Sequence, residues 1–162
     1  MTAMNPEEFR HALSHFATGV TVITSVGEHG EPVGTTASAV ASLSLEPPLV
    51  LACLAHTSAT LASLRAHGAF AINVLSAEQR TLSSHFARSG SGVSWETVDY
   101  RLSPGGVPLL TGAHAIVECV LERCLDEGDH AIVIGRLLAT DLSGSGLPPL
   151  LHYRGAYAAL VA

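Results

Sequence analysis

Gly34-Thr-Thr-Ala-Ser-Ala-Val-Ala-Ser-Leu-Ser-Leu-Glu-Pro-Pro-Leu-Val-Leu-Ala-Cys-Leu-Ala-His-Thr-Ser-Ala-Thr60 is the stretch whose reading decides the fold. From Thr35 to Ser44 small hydroxyl residues alternate with small apolar ones, the period of two of a strand with one buried and one accessible face. No bulky side chain stands on that surface. Thr35, Thr36, Ser38 and Ser42 would let a flat polar heterocycle come close to the backbone and meet hydroxyl and amide groups. Pro47-Pro48 ends the ladder, because proline has no amide donor and holds the preceding residue extended. Leu49 to Leu54 is then a short apolar run suited to crossing a barrel interior. It leads into the hydroxyl cluster His56-Thr-Ser-Ala-Thr60 at the head of a helix.

Working outward, Val20-Thr-Val-Ile-Thr-Ser-Val26 is rich in β-branched residues and predicts a strand, with a turn at Glu28–Pro32. Asn5-Pro6-Glu7-Glu8 opens an N-terminal helix by capping chemistry, with Phe9, Ala12, Leu13 and Phe16 on one face. His11 and His15 lie four apart and read as solvated surface residues rather than a metal pair, since no third ligand is near in sequence. Downstream, Thr57 or Ser58 caps a helix through His67 that Gly68 stops. Its hydroxyls serve either the helix's own free amides or an anion. Ala69–Leu75 is a strand, and Ser76 with Gln79 forms a capping box for a helix through Arg88. Ser89-Gly-Ser-Gly92 reads as a mobile turn or a lid. Arg101–Thr111 reads as a connection, and Ala113–Leu125, Ile132–Leu138 and Leu150–Leu160 as strands, with a turn at Gly128-Asp129. The chain is mainly β with α insertions: long antiparallel strands after a hydroxyl-lined hairpin, with helices at the rim, predict a Greek-key or split β-barrel.

The 162 residues suffice for a single domain over 1–162 with a real core. Only 14% of them are charged against 48% hydrophobic, which points to apolar surface covered by a second copy, a homodimer. The net charge is −6 and every cation is an arginine, so no basic run exists to neutralise nucleic acid or an anionic membrane surface. Three cysteines without a Cys-x-x-Cys pair fit a reducing cytoplasm, and no run approaches the length of a membrane span. The chain lacks the glycine fingerprint of a Rossmann dinucleotide site, a nucleophile elbow, a Walker loop and a His-Glu-x-x-His zinc motif.

The sequence resembles the flavin reductase family, the small partners of two-component flavin-dependent monooxygenases. Gly34-x-Thr-x-x-Ser, Ser42-Leu-Ser-Leu-Glu-Pro-Pro-Leu-Val-Leu51 and Ser58-x-Thr60 carry the resemblance in the central stretch. Phe16-Ala-Thr-Gly-Val-Thr-Val-Ile-Thr24, Gly68–Leu75, Leu82–Ala87, Gly128-Asp-His130 and Leu151-His-Tyr-Arg-Gly-Ala-Tyr157 extend it over nearly the whole chain. The resemblance implies an FMN-binding split barrel. It also implies transfer of a hydride from NADH or NADPH to FMN or FAD, with reduced flavin passed to a separate oxygenase. The flavin would carry the electron chemistry, leaving the protein to position two rings face to face.

On that reading the backbone of Thr35, Thr36, Ala37, Ser38, Ala39 and Val40, the Ser42 hydroxyl, and Cys53, Leu54 and Ala55 would meet the ring and ribityl chain. Ser58 and Thr60 would hold the phosphate, and His85 and Phe86 would border the flavin. His130 is the candidate catalytic residue, orienting the nicotinamide or placing positive charge near reduced flavin; alternatively it only pairs with Asp129. Tyr153, Arg154 and Gly155 would meet the dinucleotide, or Arg154 makes an ordinary strand-edge ion pair. Ser38 and Val40 stand where many members have asparagine and phenylalanine, and His56 precedes Ser58. The choice between FMN and FAD, and between NADH and NADPH, stays open. The rival readings are a split-barrel oxidase that retains its flavin and a non-enzymatic flavin-binding protein.

Overall fold

The computed structural model describes residues 5–88, 94–142 and 146–160. Asn5 caps helix α1 (Pro6–Ser14), its side-chain oxygen accepting from the Glu7 amide at 3.0 Å with Glu7 and Glu8 in the first turn. A two-residue strand β1 (Thr18–Gly19) precedes β2 (Thr21–Val26), β3 (Pro32–Ala37), β4 (Val40–Leu45) and β5 (Pro48–Ala55). Helix α2 (Ala59–His67) ends on Gly68 at φ 78°, a left-handed position that suits glycine, and leads into β6 (Ala69–Val74). The capping box expected at Ser76 and Gln79 is present and opens a 3₁₀ turn, Ala77–Gln79, that runs into α3 (Arg80–Phe86). β7 (Tyr100–Leu102), β8 (Pro108–Leu110), β9 (Ala115–Glu127), β10 (His130–Asp141), β11 (Leu151–Tyr153) and β12 (Ala156–Ala158) complete the described chain.

Seven strands form one antiparallel sheet in the order β3-β2-β6-β9-β10-β5-β4. Its two outermost strands, β3 and β4, are consecutive in the chain and joined only by Ser38 and Ala39. Two residues cannot reach across a flat seven-stranded sheet whose strands lie about 4.8 Å apart, so the sheet must curl until its edges meet. The junction is tied where the Cys53 amide donates to the Ala39 carbonyl at 2.9 Å. The result is an open barrel with a seam, in agreement with the split barrel expected from sequence.

Three readings of the sequence need correction. The alternation through Thr35–Ser44 is not one strand, because at Ser38–Ala39 the chain leaves the β2 ladder and joins the β5 ladder. Side-chain periodicity does not report which neighbour a strand bonds. Residues 101–111, expected to be a connection, contain the β7–β8 hairpin, held by a buried polar cluster. Asn73 donates to Val22 O at 3.0 Å and Thr24 Oγ1 at 3.1 Å, its own oxygen accepts from the Leu110 amide at 2.8 Å, and Thr24 donates to Pro108 O at 2.6 Å. The C-terminal strand is a hairpin instead, turning on Arg154 (φ 52°) and Gly155 (φ 77°), with β11 paired to β1. Ser89–Gly92 lie outside the described residues.

The barrel interior is filled by Ile23, Phe70, Ile72, Val133 and, from α2, Leu61 and Leu64. Gly135 sits at a β-bulge where a Cβ would lie 2.4 Å from Phe70 Cζ and 2.9 Å from Cys119 Cβ, so the close approach requires glycine. By contrast Phe9 and Leu13 of α1, with Phe16 just beyond it, are 54, 54 and 73% exposed, an apolar face that the chain's own core does not cover. No described helix is long and apolar enough to cross a membrane.

Candidate functional site

The seam opens into a cleft of about 660 Å³, within the range of small-molecule sites. One wall is β3, which as an edge strand bonds β2 on one side and leaves alternate amides and carbonyls of its other side without a strand partner. Every residue from Glu31 to Ala39 lines the cleft. Cys53, Leu54 and Ala55 at the end of β5, the first turn of α2, the end of α3, Trp95 and His130 supply the rest.

Small residues keep this wall open. Gly34 is required by packing: a Cβ there would stand 2.9 Å from Phe86 Cε1 and 3.3 Å from Ile23 O. Phe86 is 1% exposed, and its ring meets those of Trp95 at 5.0 Å and His85 at 5.5 Å, both edge-on. The Thr36 hydroxyl donates to the Ser83 carbonyl at 2.7 Å, fixing α3 against β3; it can still accept from a ligand but has no proton to give. Tyr157 of β12 donates to Ser83 Oγ at 2.9 Å, lies 3.1 Å from Ser84 Oγ, and packs under Arg80 at 6.0 Å. The C-terminal hairpin thus clamps α3 from outside.

The start of α2 bears on the two uses open to its hydroxyls. Ser58 occupies the N-cap position with extended backbone, yet its side chain makes no capping bond, and no acid stands in the first turn. The free amides of that turn therefore face the cleft without a carboxylate or a serine oxygen on them, an arrangement suited to an anion. Thr60 is buried beside them. Farther along α2, Arg65 donates to Cys124 Sγ at 3.2 Å and to Asp126, which ties the helix to β9. Those bonds, the thiol contact first, push the Arg65 pKa up.

His130 opens β10 opposite Ala55, at the cleft's other wall. Its Nδ1 lies 2.7 Å from Asp129 Oδ1, and the imidazole hydrogen bond, followed by its charge, holds the Asp129 carboxyl below the usual range. The pairing leaves Nε2 as the ring's free edge. Pairing with Asp129 and standing in the cleft are thus both true of this histidine.

Of the residues singled out in the sequence, Thr35, Thr36, Ala37, Ser38, Ala39, Cys53, Leu54, Ala55, Ser58, Thr60, Phe86 and His130 are brought together around this one cleft. Six are not. Val40 packs against the barrel core, and Ser42 is exposed on β4 beyond the seam. His85 turns to Ser94, its Nε2 2.8 Å from that carbonyl, and braces the approach to Trp95. Tyr153 meets the ring of His15 at 6.3 Å, and the Arg154 amide donates to Ser14 O at 2.8 Å, which places the Tyr153–Gly155 turn against the end of α1. The reading missed Glu31, Thr57, Arg88 and the cleft position of Trp95. A lone tryptophan in a chain with few aromatics was the one signal that could have marked it.

Residues 13–160 match the model of the flavin reductase like domain. The reductase subunit HsaB of a flavin-dependent monooxygenase from Rhodococcus jostii (strain RHA1) is 41% identical over 155 residues, 96% of this chain and 78% of that protein. A protein of Rhizobium meliloti (strain 1021) named "Probable flavin reductase" is 43% identical over 159 residues, 97% of this chain; the chain spans half of its length. Among solved structures, the Streptomyces globisporus C-1027 NADH:FAD oxidoreductase SgcE6, in complex with NAD and FAD fragments, superposes with a TM-score of 0.89 at 34% identity, covering 99% of this chain and 98% of that one. With the domain match running almost end to end and the seam, small-residue wall and helix start all in place, this chain belongs to the flavin reductase-like family.

Proposed function

We propose that the chain is an NAD(P)H-dependent flavin reductase that supplies reduced FMN or FAD to a separate flavin-dependent oxygenase. The observation that carries the reading is the start of α2: Ser58, Ala59 and Thr60 line the cleft, the Ser58 side chain makes no capping bond, and the Ala59 and Thr60 amides precede the first intrahelical bond, which the Leu61 amide makes to the Ser58 carbonyl at 3.1 Å. A flavin phosphate fits there, with its ring lying along the small-residue wall. A bound flavin supplies a ring that accepts a hydride from reduced nicotinamide.

The protein's part is positional. Outward-facing amides of β3 and the Ser38–Ala39 link hydrogen-bond the ring edge, and donors already in place there favour the charge that develops on reduction. His130, held by Asp129, presents Nε2 to the nicotinamide and sets its orientation. An open seam with few polar contacts favours release of the reduced product over retention. The family kinship with a reductase subunit such as HsaB supports delivery to a partner oxygenase. The uncovered apolar face of Phe9, Leu13 and Phe16 supports a homodimer. Three free cysteines suit a cytoplasmic setting.

The test is to follow NADH and NADPH consumption by the purified chain as riboflavin, FMN or FAD is added. Flavin-dependent oxidation of one nicotinamide, with flavin lost on dialysis, supports the reading. Flavin retained through dialysis without nicotinamide oxidation contradicts it.

A further inference from the structure

The residues that join β5 to α2 form a turn, closed where the Ser58 amide donates to the Ala55 carbonyl at 2.9 Å. Ala55, Thr57 and Ser58 line the cleft; His56, between them, does not. Two contacts pin the turn at His56. Its amide donates to the Asp129 carbonyl at 3.0 Å, and its Nδ1 lies 3.7 Å from Asp126 Oδ1. Asp126 is also bonded by Arg65, in the second half of α2, so one carboxylate holds both the approach to the helix and the helix itself. The 3.7 Å contact is long for a hydrogen bond and within reach of an ion pair. Its strength therefore depends on whether the imidazole carries a second proton.

The fixed charge around this turn is unfavourable to an anion. Asp126 and Glu127 at the end of β9, with Asp129 just beyond, set three carboxylates there, and the Arg65 guanidinium is bound to one of them. Glu127 stands in register with His130, which stands in register with Ala55 on its other side. The hydrogen bond from His130, then its charge, and last the charge of His56 hold the Asp129 carboxyl below its usual range, so the two imidazoles act on a common carboxylate. Cys124 completes the set as the thiol that Arg65 also meets. Imidazole is the side chain that ordinarily changes charge between about pH 5 and 8, so His56 and His130 are the groups that can offset this negative field near neutrality. His130 is committed to Asp129, whereas His56 lies two residues before the Ser58 N-cap. A proton on His56 therefore adds positive charge next to the helix end where a phosphate would sit.

Resting on the flavin-reductase reading, we propose that His56 is a specificity-determining positioning residue: protonated and held by Asp126, it favours a phosphorylated flavin at the start of α2 over the unphosphorylated ring, and does so more at pH 6 than at pH 8. The test measures binding of FMN and of riboflavin to the full chain by quenching of flavin fluorescence, without nicotinamide, at both pH values. Wild type is compared with His56→Gln, which carries no charge, and His56→Arg, which always carries one. The two flavins share a ring, so effects on ring binding cancel in the ratio of their dissociation constants. The second ionisation of the FMN phosphate, at about pH 6, and any charge on His130 are common to all three proteins. From pH 8 to pH 6 the wild-type ratio is expected to move in favour of FMN by about two- to fivefold more than that of His56→Gln, the size of one charge near a helix end. His56→Arg is expected to show the pH 6 preference already at pH 8, which a merely structural role would not produce. His56 is exposed, so its variants keep the fold. The same pH dependence in wild type and His56→Gln, or an arginine variant that behaves like the glutamine one, overturns the role of His56 while leaving flavin reduction standing. A wild type that binds FMN no better than riboflavin at either pH overturns the phosphate placement along with it. One that neither binds nor reduces any flavin overturns the underlying reading instead.

Discussion

Gly34→Ala tests whether the cleft wall is held open by packing. An alanine Cβ would sit 2.9 Å from Phe86 Cε1, 3.1 Å from Cδ1 and 3.3 Å from Ile23 O, against a contact optimum of about 3.5–4.0 Å between carbons. The ring would have to retreat by about half an ångström or more. It has little room, being buried and flanked by Trp95 and His85. Overpacking of this kind costs about 1–3 kcal/mol, offset by the ~0.5–1 kcal/mol that alanine gains over glycine in a strand, for a net loss of about 0–2.5 kcal/mol. Phe86→Leu removes the offending ring atoms and leaves a cavity of its own. The two changes should therefore be coupled: urea denaturation of both single variants and the double variant should show the double more stable than additivity requires, by ~1 kcal/mol or more. Because Trp95 rests on Phe86, its fluorescence should shift in Gly34→Ala and recover in the double variant. Additivity within about 0.5 kcal/mol, with Trp95 unmoved, would refute the packing argument.

Three further outcomes follow from other parts of the structure. His130→Ala should lower flavin reduction at saturating flavin by roughly ten- to a hundredfold while flavin affinity changes little, and equal loss of both with a destabilised fold would make the residue structural. Burial, and then the charge of Glu118, pushes the Cys119 thiol from 9.0 up to about 12. Below pH 9 the thiol is protonated in both states and has no effect; as pH rises from 9 to 12 only the unfolded chain ionises, so up to roughly 4 kcal/mol of stability is lost, and Cys119→Ala should flatten that alkaline arm of a denaturation-against-pH curve. Tyr157→Phe removes the hydroxyl that reaches Ser83 and Ser84, and should cost about 1–2 kcal/mol in urea denaturation and raise the flavin KM a few-fold at unchanged kcat; an unchanged KM would show that the hairpin does not set the position of α3.

The elements were legible in sequence wherever local chemistry decides them. Asn5-Pro6 capped its helix, Ser76 and Gln79 made their box, Gly68 stopped α2, and the β-branched run at Val20–Val26 became the strand that carries β3. What stayed hidden depends on partners far along the chain. The alternation at Thr35–Ser44 continues unbroken in sequence although the strand changes neighbours at Ser38, and that change creates the seam. Residues 101–111 show no long alternating pattern, and their hairpin exists because Asn73, more than thirty residues away, bonds the Leu110 amide. Ser58 could be read as cap or ligand contact until the geometry showed its side chain unused by the helix. The family pattern supplied most of the cleft, but it could not reveal that Arg88 lines the cleft while Arg154 sits at a turn against α1.

The proposed place of a flavin phosphate, the start of α2, is best tested with Ser58→Asp. Aspartate is as good an N-cap as serine, so the helix is kept, but its carboxylate occupies the amides and repels an anion. Nicotinamide oxidation is measured against FMN and against riboflavin, which has the same ring and no phosphate. The KM for FMN should rise at least tenfold, about 1.4 kcal/mol, while that for riboflavin stays within twofold. If both flavins are unaffected, or both are weakened alike in a folded variant, the phosphate does not lie there and the seam is not the flavin site.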